Sequence, residues 1–274
     1  MLHPGEMGAA VGRALVERGE KVGWASEGGS EATRRRAAEF GLADLRTIDD
    51  VKESCAVVLS VCPPHSAVDV AREMRGYRGL YVDANAVSPA TARQIAEIIS
   101  TGGGRFVDGG IVGPPPHRAD STRLYLSGGA ADEIAALFSG SVFEAKVIAT
   151  EWGAASALKM VYAAWTKGTN AMLLAVRAAA RTLEVEDALL DEWAMSQPDL
   201  AARSERAALV GLERGWRWAF ELEEVGRTFA SAELPDGFGA AAAAVFRQLG
   251  AGVDGAEPER TLSRLTDERD DVTG

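Results

Sequence analysis

Cysteine, histidine and uninterrupted apolar sequence are what this chain has least of. It holds two cysteines, Cys55 and Cys62, and three histidines, His3, His65 and His117, in 274 residues. No C-x-x-C or Cys/His ligand spacing links them, so zinc and disulfide scaffolds are excluded and no metal site is expected. No run approaches the roughly 18 consecutive apolar residues of a membrane span. The first 20 residues carry neither a basic nor an apolar stretch of the kind that directs secretion, so a cytoplasmic location is the expectation. Positive charge is also short: 29 Lys and Arg face 40 Asp and Glu, a net charge of −11. That balance argues against a nucleic-acid partner, which needs a basic footprint.

What is present is 47% hydrophobic and 25% charged sequence, ordinary for a globular protein. From residue 5 to about 150, short apolar runs alternate with helix-like stretches, the pattern of βαβ units with a parallel sheet. Strands are expected at Val22–Ala25, Ala56–Val61, Gly79–Asp83, Arg105–Asp108 and Thr122–Ser127. Helices are expected at Ala9–Arg18, Glu31–Phe40, Ala67–Met74 and Pro89–Ile99, the last with Ser88 as N-cap and Pro89 at its first position.

Past residue 150 the pattern turns helical. Trp152–Leu190 has no proline and two glycines, which suits one long helix, and further helices are expected at Leu200–Glu213, Trp216–Ala232 and Phe238–Leu249. The fold class is therefore α/β: a doubly wound Rossmann domain with a mainly parallel sheet over residues 1–150, then an all-α domain over 151–253 entered by a long interdomain helix. Residues 254–274 carry seven acids and three arginines, and are expected to form a disordered acidic tail.

Directly before the first helix runs Gly5-Glu6-Met7-Gly8. Glycines so placed permit a tight turn and close approach of a pyrophosphate to the backbone, while the helix N-terminus stabilises the anion. The first glycine of the dinucleotide fingerprint is here His3. Only Met1 to Pro4 precede Gly5, where such a turn ordinarily follows a buried strand of about five or six residues. The first strand therefore reads as truncated, and the expectation is that translation begins upstream or that cofactor binding is poor. Cofactor choice belongs at the end of the second strand. Ser26, Ser30 and Arg34 suit a 2′-phosphate and Glu27 falls past the strand end, so NADP is expected over NAD.

Together, Gly5-Glu6-Met7-Gly8, Leu59-Ser60-Val61-Cys62-Pro63-Pro64-His65, Asp83-Ala84-Asn85-Ala86-Val87-Ser88-Pro89, Asp108-Gly109-Gly110-Ile111-Val112-Gly113-Pro114 and Gly153-Ala154-Ala155-Ser156-Ala157-Leu158-Lys159 resemble the motifs of the β-hydroxyacid dehydrogenase superfamily. The second half resembles its branch of phosphogluconate-dehydrogenase-like oxidoreductases. The resemblance implies hydride transfer to or from a nicotinamide, with Val61, Cys62, Pro63 and Asn85 beside the cofactor. It places a substrate turn at Gly110, Val112 and Gly113, and makes Lys159 the catalytic acid/base. It also implies a homodimer formed through the helical domain. A lysine partly buried between two domains is expected to have its pKa lowered by desolvation and to work near neutral pH.

Two departures shape the substrate expectation. The resemblance implies an asparagine four residues beyond the lysine, and here that position is Ala163, leaving Tyr162 and Thr166 on the same helix face as candidates for its place. The turn after Gly113 continues Pro114-Pro115-Pro116, which have no N–H to offer a carboxylate. The expected substrate is a small hydroxy or carbonyl compound. Imine reduction on the same fold is one alternative, and a catalytically idle NADP-binding scaffold or sensor is another.

Overall fold

The computed structural model describes residues 1–250 and 257–266. The chain divides into two compact units, residues 1–160 and 161–274.

In the first unit, α1 (Glu6–Val16) leads to β1 (Gly23–Trp24), α2 (Glu31–Glu39), β2 (Ala43–Asp44), α3 (Ile48–Ser54) and β3 (Val57–Ser60). Then come α4 (Ala67–Glu73), β4 (Leu80–Asp83), α5 (Pro89–Thr101), β5 (Arg105–Val112), β6 (Arg123–Ser127), α6 (Ala131–Leu137) and β7 (Glu144–Ala149). Ser88 caps α5 as expected, its hydroxyl accepting from Thr91 N–H with Pro89 at the first position. β3, β4 and β5 are parallel neighbours, β6 is antiparallel to β5, and β7 is parallel to β6.

The expected first strand survives as two residues. Leu2 N–H donates to Leu59 O at 2.8 Å, and the Met1 amino group donates to Gly23 O at 2.7 Å. This segment therefore bridges the β1–β2 pair and the five-stranded sheet. Strand order runs outward in opposite directions from it, so the loops after Leu2, β1, β3 and β4 surround a switch point, where open α/β sheets bind ligands. Alternation along the strands fills both faces: Val58, Tyr81 and Phe106 belong to one buried cluster, and Leu59, Val82 and Val107 to the other.

β2, β7, α3 and α6 lie outside the expected elements, being short or, for β7, mostly exposed. β5 outruns its expected end at Asp108, because Gly109 and Gly110 still pair with Leu126 and Tyr125. Any side chain at Gly109 would meet Asp83 O at 2.9 Å, so the glycines there admit neighbouring backbone.

A long helix, α7 (Ala154–Thr182), leads into the second unit, followed by α8 (Glu186–Ser196), α9 (Leu200–Ser231), α10 (Gly237–Leu249) and α11 (Pro258–Thr266). Three expectations are corrected. The single helix over Trp152–Leu190 stops at Thr182: Glu184 adopts a left-handed φ of 58°, and Val185 N–H closes on Ala180 O at 2.8 Å, a helix end without the usual glycine. The helices expected either side of Gly215 are one. A Cβ at Gly215 would lie 2.6 Å from Phe246, so this glycine admits α10 rather than breaking α9. Within the expected disordered tail, Pro258–Thr266 is helical with Thr261 and Leu262 buried. Thr261 Oγ1 bonds Ala208 O at 2.8 Å. Positions 254–256 and 267–274 of that tail lie outside the described residues. Among the described residues, no helix is long and apolar enough to cross a membrane.

Candidate active site

The glycine turn has the geometry its sequence predicts. Gly5 is the N-cap of α1, and no side chain caps the helix, so the first-turn N–H groups have no acceptor within the helix. Nothing lies within 4 Å of a Cβ built on Gly5, whereas one on Gly8 would sit 3.0 Å from His3 O and 3.5 Å from Val61 Cβ. Gly5 thus leaves open space over the amides and Gly8 lets the turn close on β3. Glu6 and Met7 complete that first turn. His3, standing in for the fingerprint's first glycine, takes a left-handed φ of 58°. This uncapped turn with an open Gly5 fits a dinucleotide pyrophosphate.

At the end of β1, Ser26 is buried, and its hydroxyl bonds the Asp44 carboxyl, which that bond and the Arg46 N–H hold below the ordinary carboxylate range. Ser30 caps α2, its Oγ accepting Thr33 N–H at 3.2 Å. Arg34 Nε donates to Gly29 O at 3.2 Å. Ser26, Ser30 and Arg34 therefore share one corner, joined by Asp44 and Arg46, which sequence reasoning missed. Asp44 ends, and Arg46 follows, a strand of two residues that carries no alternation signal.

Asn85 faces inward. It is 2% exposed, its Oδ1 accepts Cys62 N–H at 2.6 Å, and its Nδ2 donates to Asp83 Oδ1 at 2.5 Å and Ser60 Oγ at 3.2 Å. Expected as a cofactor contact, it pins the Val61–Pro63 turn to β3 and β4. Burial, reinforced by the nearby Asp83, pushes the Cys62 thiol up to about 12, so this cysteine is no nucleophile.

α7 is anchored by a residue absent from the sequence-based candidates. Asp108, fully buried, accepts Ser127 Oγ at 2.9 Å, Gly153 N–H at 3.0 Å and Ser156 N–H at 3.0 Å on Oδ2, and Ser156 Oγ at 2.5 Å on Oδ1. A carboxylate at a helix N-terminus satisfies orphan amides and complements the dipole. The signal for it was an aspartate at a strand end and a serine in the helix's first turn, visible only once the two are known to meet. Lys159, half-buried, follows Ser156 by one turn. A Cβ on Gly110 would lie 2.7 Å from Ala155 O and 3.0 Å from Lys159 Cβ, so Gly110 lets β5 and the lysine's turn touch.

Val112 is buried, and Gly113 has a φ of 126° with Ser121 and Thr122 against it, a place only glycine fills without strain. Contacts thus run continuously from Asn85 through Ala84 and Gly109 to Gly110 and Lys159. Tyr162 is exposed, and the Thr166 hydroxyl donates to Tyr162 O at 3.0 Å, back into its own helix.

Residues 180–249 match a family model whose description is Domain of unknown function (DUF1932). The chain is 32% identical over 188 residues to the "Uncharacterized 28.5 kDa protein in 7S RNA 5'region" of Methanothermus fervidus, spanning 68% of this chain and 72% of that protein. A solved conserved protein of unknown function, reported to have structural similarity with 3-hydroxyacid dehydrogenases, is 30% identical with a TM-score of 0.67 over 90% of this chain and 95% of its own. A 3-hydroxyisobutyrate dehydrogenase from Mycobacterium tuberculosis, solved with L-serine, shares the fold at 17% identity and a TM-score of 0.69 over 96% and 97% of the two chains.

Proposed function

This chain belongs to the β-hydroxyacid dehydrogenase superfamily, and on that premise we propose that it is an NADP-dependent oxidoreductase acting on a small hydroxy or carbonyl compound. The observation that carries the reading is the contact line from the Asn85-pinned turn to Gly110 and Lys159, beside a glycine turn able to take a pyrophosphate. The Gly5–Gly8 amides would hold the pyrophosphate, and Val61, Cys62 and Pro63 would line the nicotinamide end. The bound nicotinamide supplies or accepts the hydride. Lys159 Nζ gives the substrate oxygen its proton in reduction and takes it back in oxidation. Asp108 positions that ammonium by fixing the first turn of α7. Arg34 and Arg46 near Ser26 favour a 2′-phosphate, and Asp44 in the same corner is the feature that favours NAD.

Imine reduction is the second reading. It is favoured by Ala163 in place of an orienting asparagine and by the prolines at Pro114–Pro116, which donate nothing to a carboxylate.

A homodimer through the helical unit is part of the same proposal. Val161, Trp165 and Met172 are 51%, 67% and 58% exposed on α7. With Gly168, whose Cβ position is open, they form a stripe at four-three-four spacing, the seam that helix pairing requires.

The test is NADPH oxidation with a panel of hydroxy acids' oxo forms, aldehydes and cyclic imines, using wild type and Lys159→Ala. Turnover of an oxo compound that is lost in the variant supports the proposal. Turnover surviving the substitution removes Lys159 from its role, and turnover of imines alone selects the second reading. NADPH binding without any turnover indicates the idle scaffold or sensor.

A further inference from the structure

We infer that Arg36 is a cofactor-binding residue that grips the pyrophosphate, a part common to NADPH and NADH. The inference rests on the dinucleotide reading of the glycine turn. Arg36 lies in the last turn of α2, yet its Nη1 reaches across 32 positions of sequence to donate to Pro4 O at 3.3 Å, against the turn that opens α1. Its neighbours Arg34 and Arg35 are exposed, and Arg36 is half-buried.

Among the described residues Arg36 makes no ion pair, and the one hydrogen bond of its guanidinium is to that carbonyl. A guanidinium has five N–H groups in a planar fork suited to phosphate oxygens. Holding one partly desolvated without a carboxylate is unfavourable unless an anion arrives. The adjoining turn supplies the reason: α1 presents uncapped amides beside the open Gly5, while Glu6 in the same turn carries a charge that opposes a phosphate. Arg36 offsets Glu6 and adds charge-assisted hydrogen bonds to those of the amides.

Arg34 and Arg36 then divide the work. Arg34, beside Ser26 and Asp44, reads the 2′-phosphate and separates NADPH from NADH. Arg36 strengthens both equally.

The experiment is equilibrium titration of the full chain with NADPH and with NADH, following nicotinamide fluorescence, for wild type, Arg36→Gln, Arg36→Lys, Arg34→Gln and Arg35→Gln. Losing a charge-assisted contact of this kind weakens binding on the order of tenfold. Arg36→Gln is expected to weaken both dinucleotides by that factor, Arg36→Lys by less, Arg34→Gln to weaken NADPH alone, and Arg35→Gln neither. Unchanged binding by Arg36→Gln overturns the inference, and so does a loss confined to NADPH. Ligand-free unfolding midpoints identify misfolding, in which case Arg36→Lys decides: wild-type affinity for both dinucleotides overturns the inference and a shared loss supports it. A wild type that binds neither dinucleotide defeats the dinucleotide reading itself, and the inference falls with it.

Discussion

His3 occupies a backbone conformation that favours glycine, at the position where the dinucleotide fingerprint has one. A left-handed conformation costs an ordinary residue roughly 1–2 kcal/mol, and glycine nothing sterically. His3→Gly is therefore expected to raise stability by about 1 kcal/mol in urea denaturation; an unchanged or lower stability would mean that the imidazole contributes contacts worth as much as the strain. Cys62 tests the turn that Asn85 pins to β3. With its thiol pushed up to about 12, it holds the proton throughout the neutral range, and alkylation at pH 8 should run on the order of a thousandfold slower than for an ordinary thiol. Mass spectrometry of iodoacetamide-treated native protein would read this, and rapid labelling of Cys62 would contradict it. The turn geometry at Gly5 and Gly8 was legible because it depends on residue type and spacing alone. The pinning role of Asn85 was not legible, since its partners Ser60 and Cys62 come from β3 and the turn that follows it.

At the scale of elements, the parallel strands and their covering helices were readable because both depend on local periodicity. Helix ends and joins were not. Glu184 ends a turn without glycine or proline, and Gly215 looks like a break when its purpose is contact with Phe246. α11 was hidden because its anchors are distant: Arg181 Nη2 meets Glu259 at 2.8 Å and Arg264 Nη1 meets Leu249 O at 2.6 Å. The same region holds a charge network around the buried Arg177, which bonds Glu186 at 2.7 Å and Ser204 Oγ at 2.8 Å, while Arg181 bonds Glu186 at 2.7 Å. Burial pushes the Glu186 carboxyl up, but the hydrogen bonds from Arg181 and Arg177 outweigh it and hold the carboxyl below its ordinary range. A carboxyl so depressed contributes stability above the unfolded pKa of about 4.3, lost as pH falls through the lower folded value. Arg177→Gln, which leaves Glu186 its Arg181 partner, should cost about 1–2 kcal/mol at pH 7, with a smaller loss on going to pH 3 than wild type shows. Equal pH dependence in denaturant melts of the two proteins would remove the network from that role.

For the whole molecule, the α7 stripe and the proposed dinucleotide site make separate demands. Trp165→Glu places a charge at the most exposed point of the stripe on α7 and is expected to convert a dimer to monomer in sedimentation at micromolar concentration, with NADPH affinity unchanged. A wild type that sediments as monomer would refute the homodimer. Fold class was legible at this scale because βαβ periodicity is continuous in sequence. The Asp108 anchor and the Arg36 contact were not, since each joins segments brought together only by the fold. If the glycine turn and the Asn85-pinned loop form one NADP site leading to Lys159, a bound dinucleotide has a fixed place. A crystal structure grown with saturating NADPH tests it most directly. The pyrophosphate is expected on the Gly5–Gly8 amides and the nicotinamide beside Val61–Pro63, on the side toward Lys159. Density for the dinucleotide elsewhere, or none in a crystal that leaves this corner open, would contradict it.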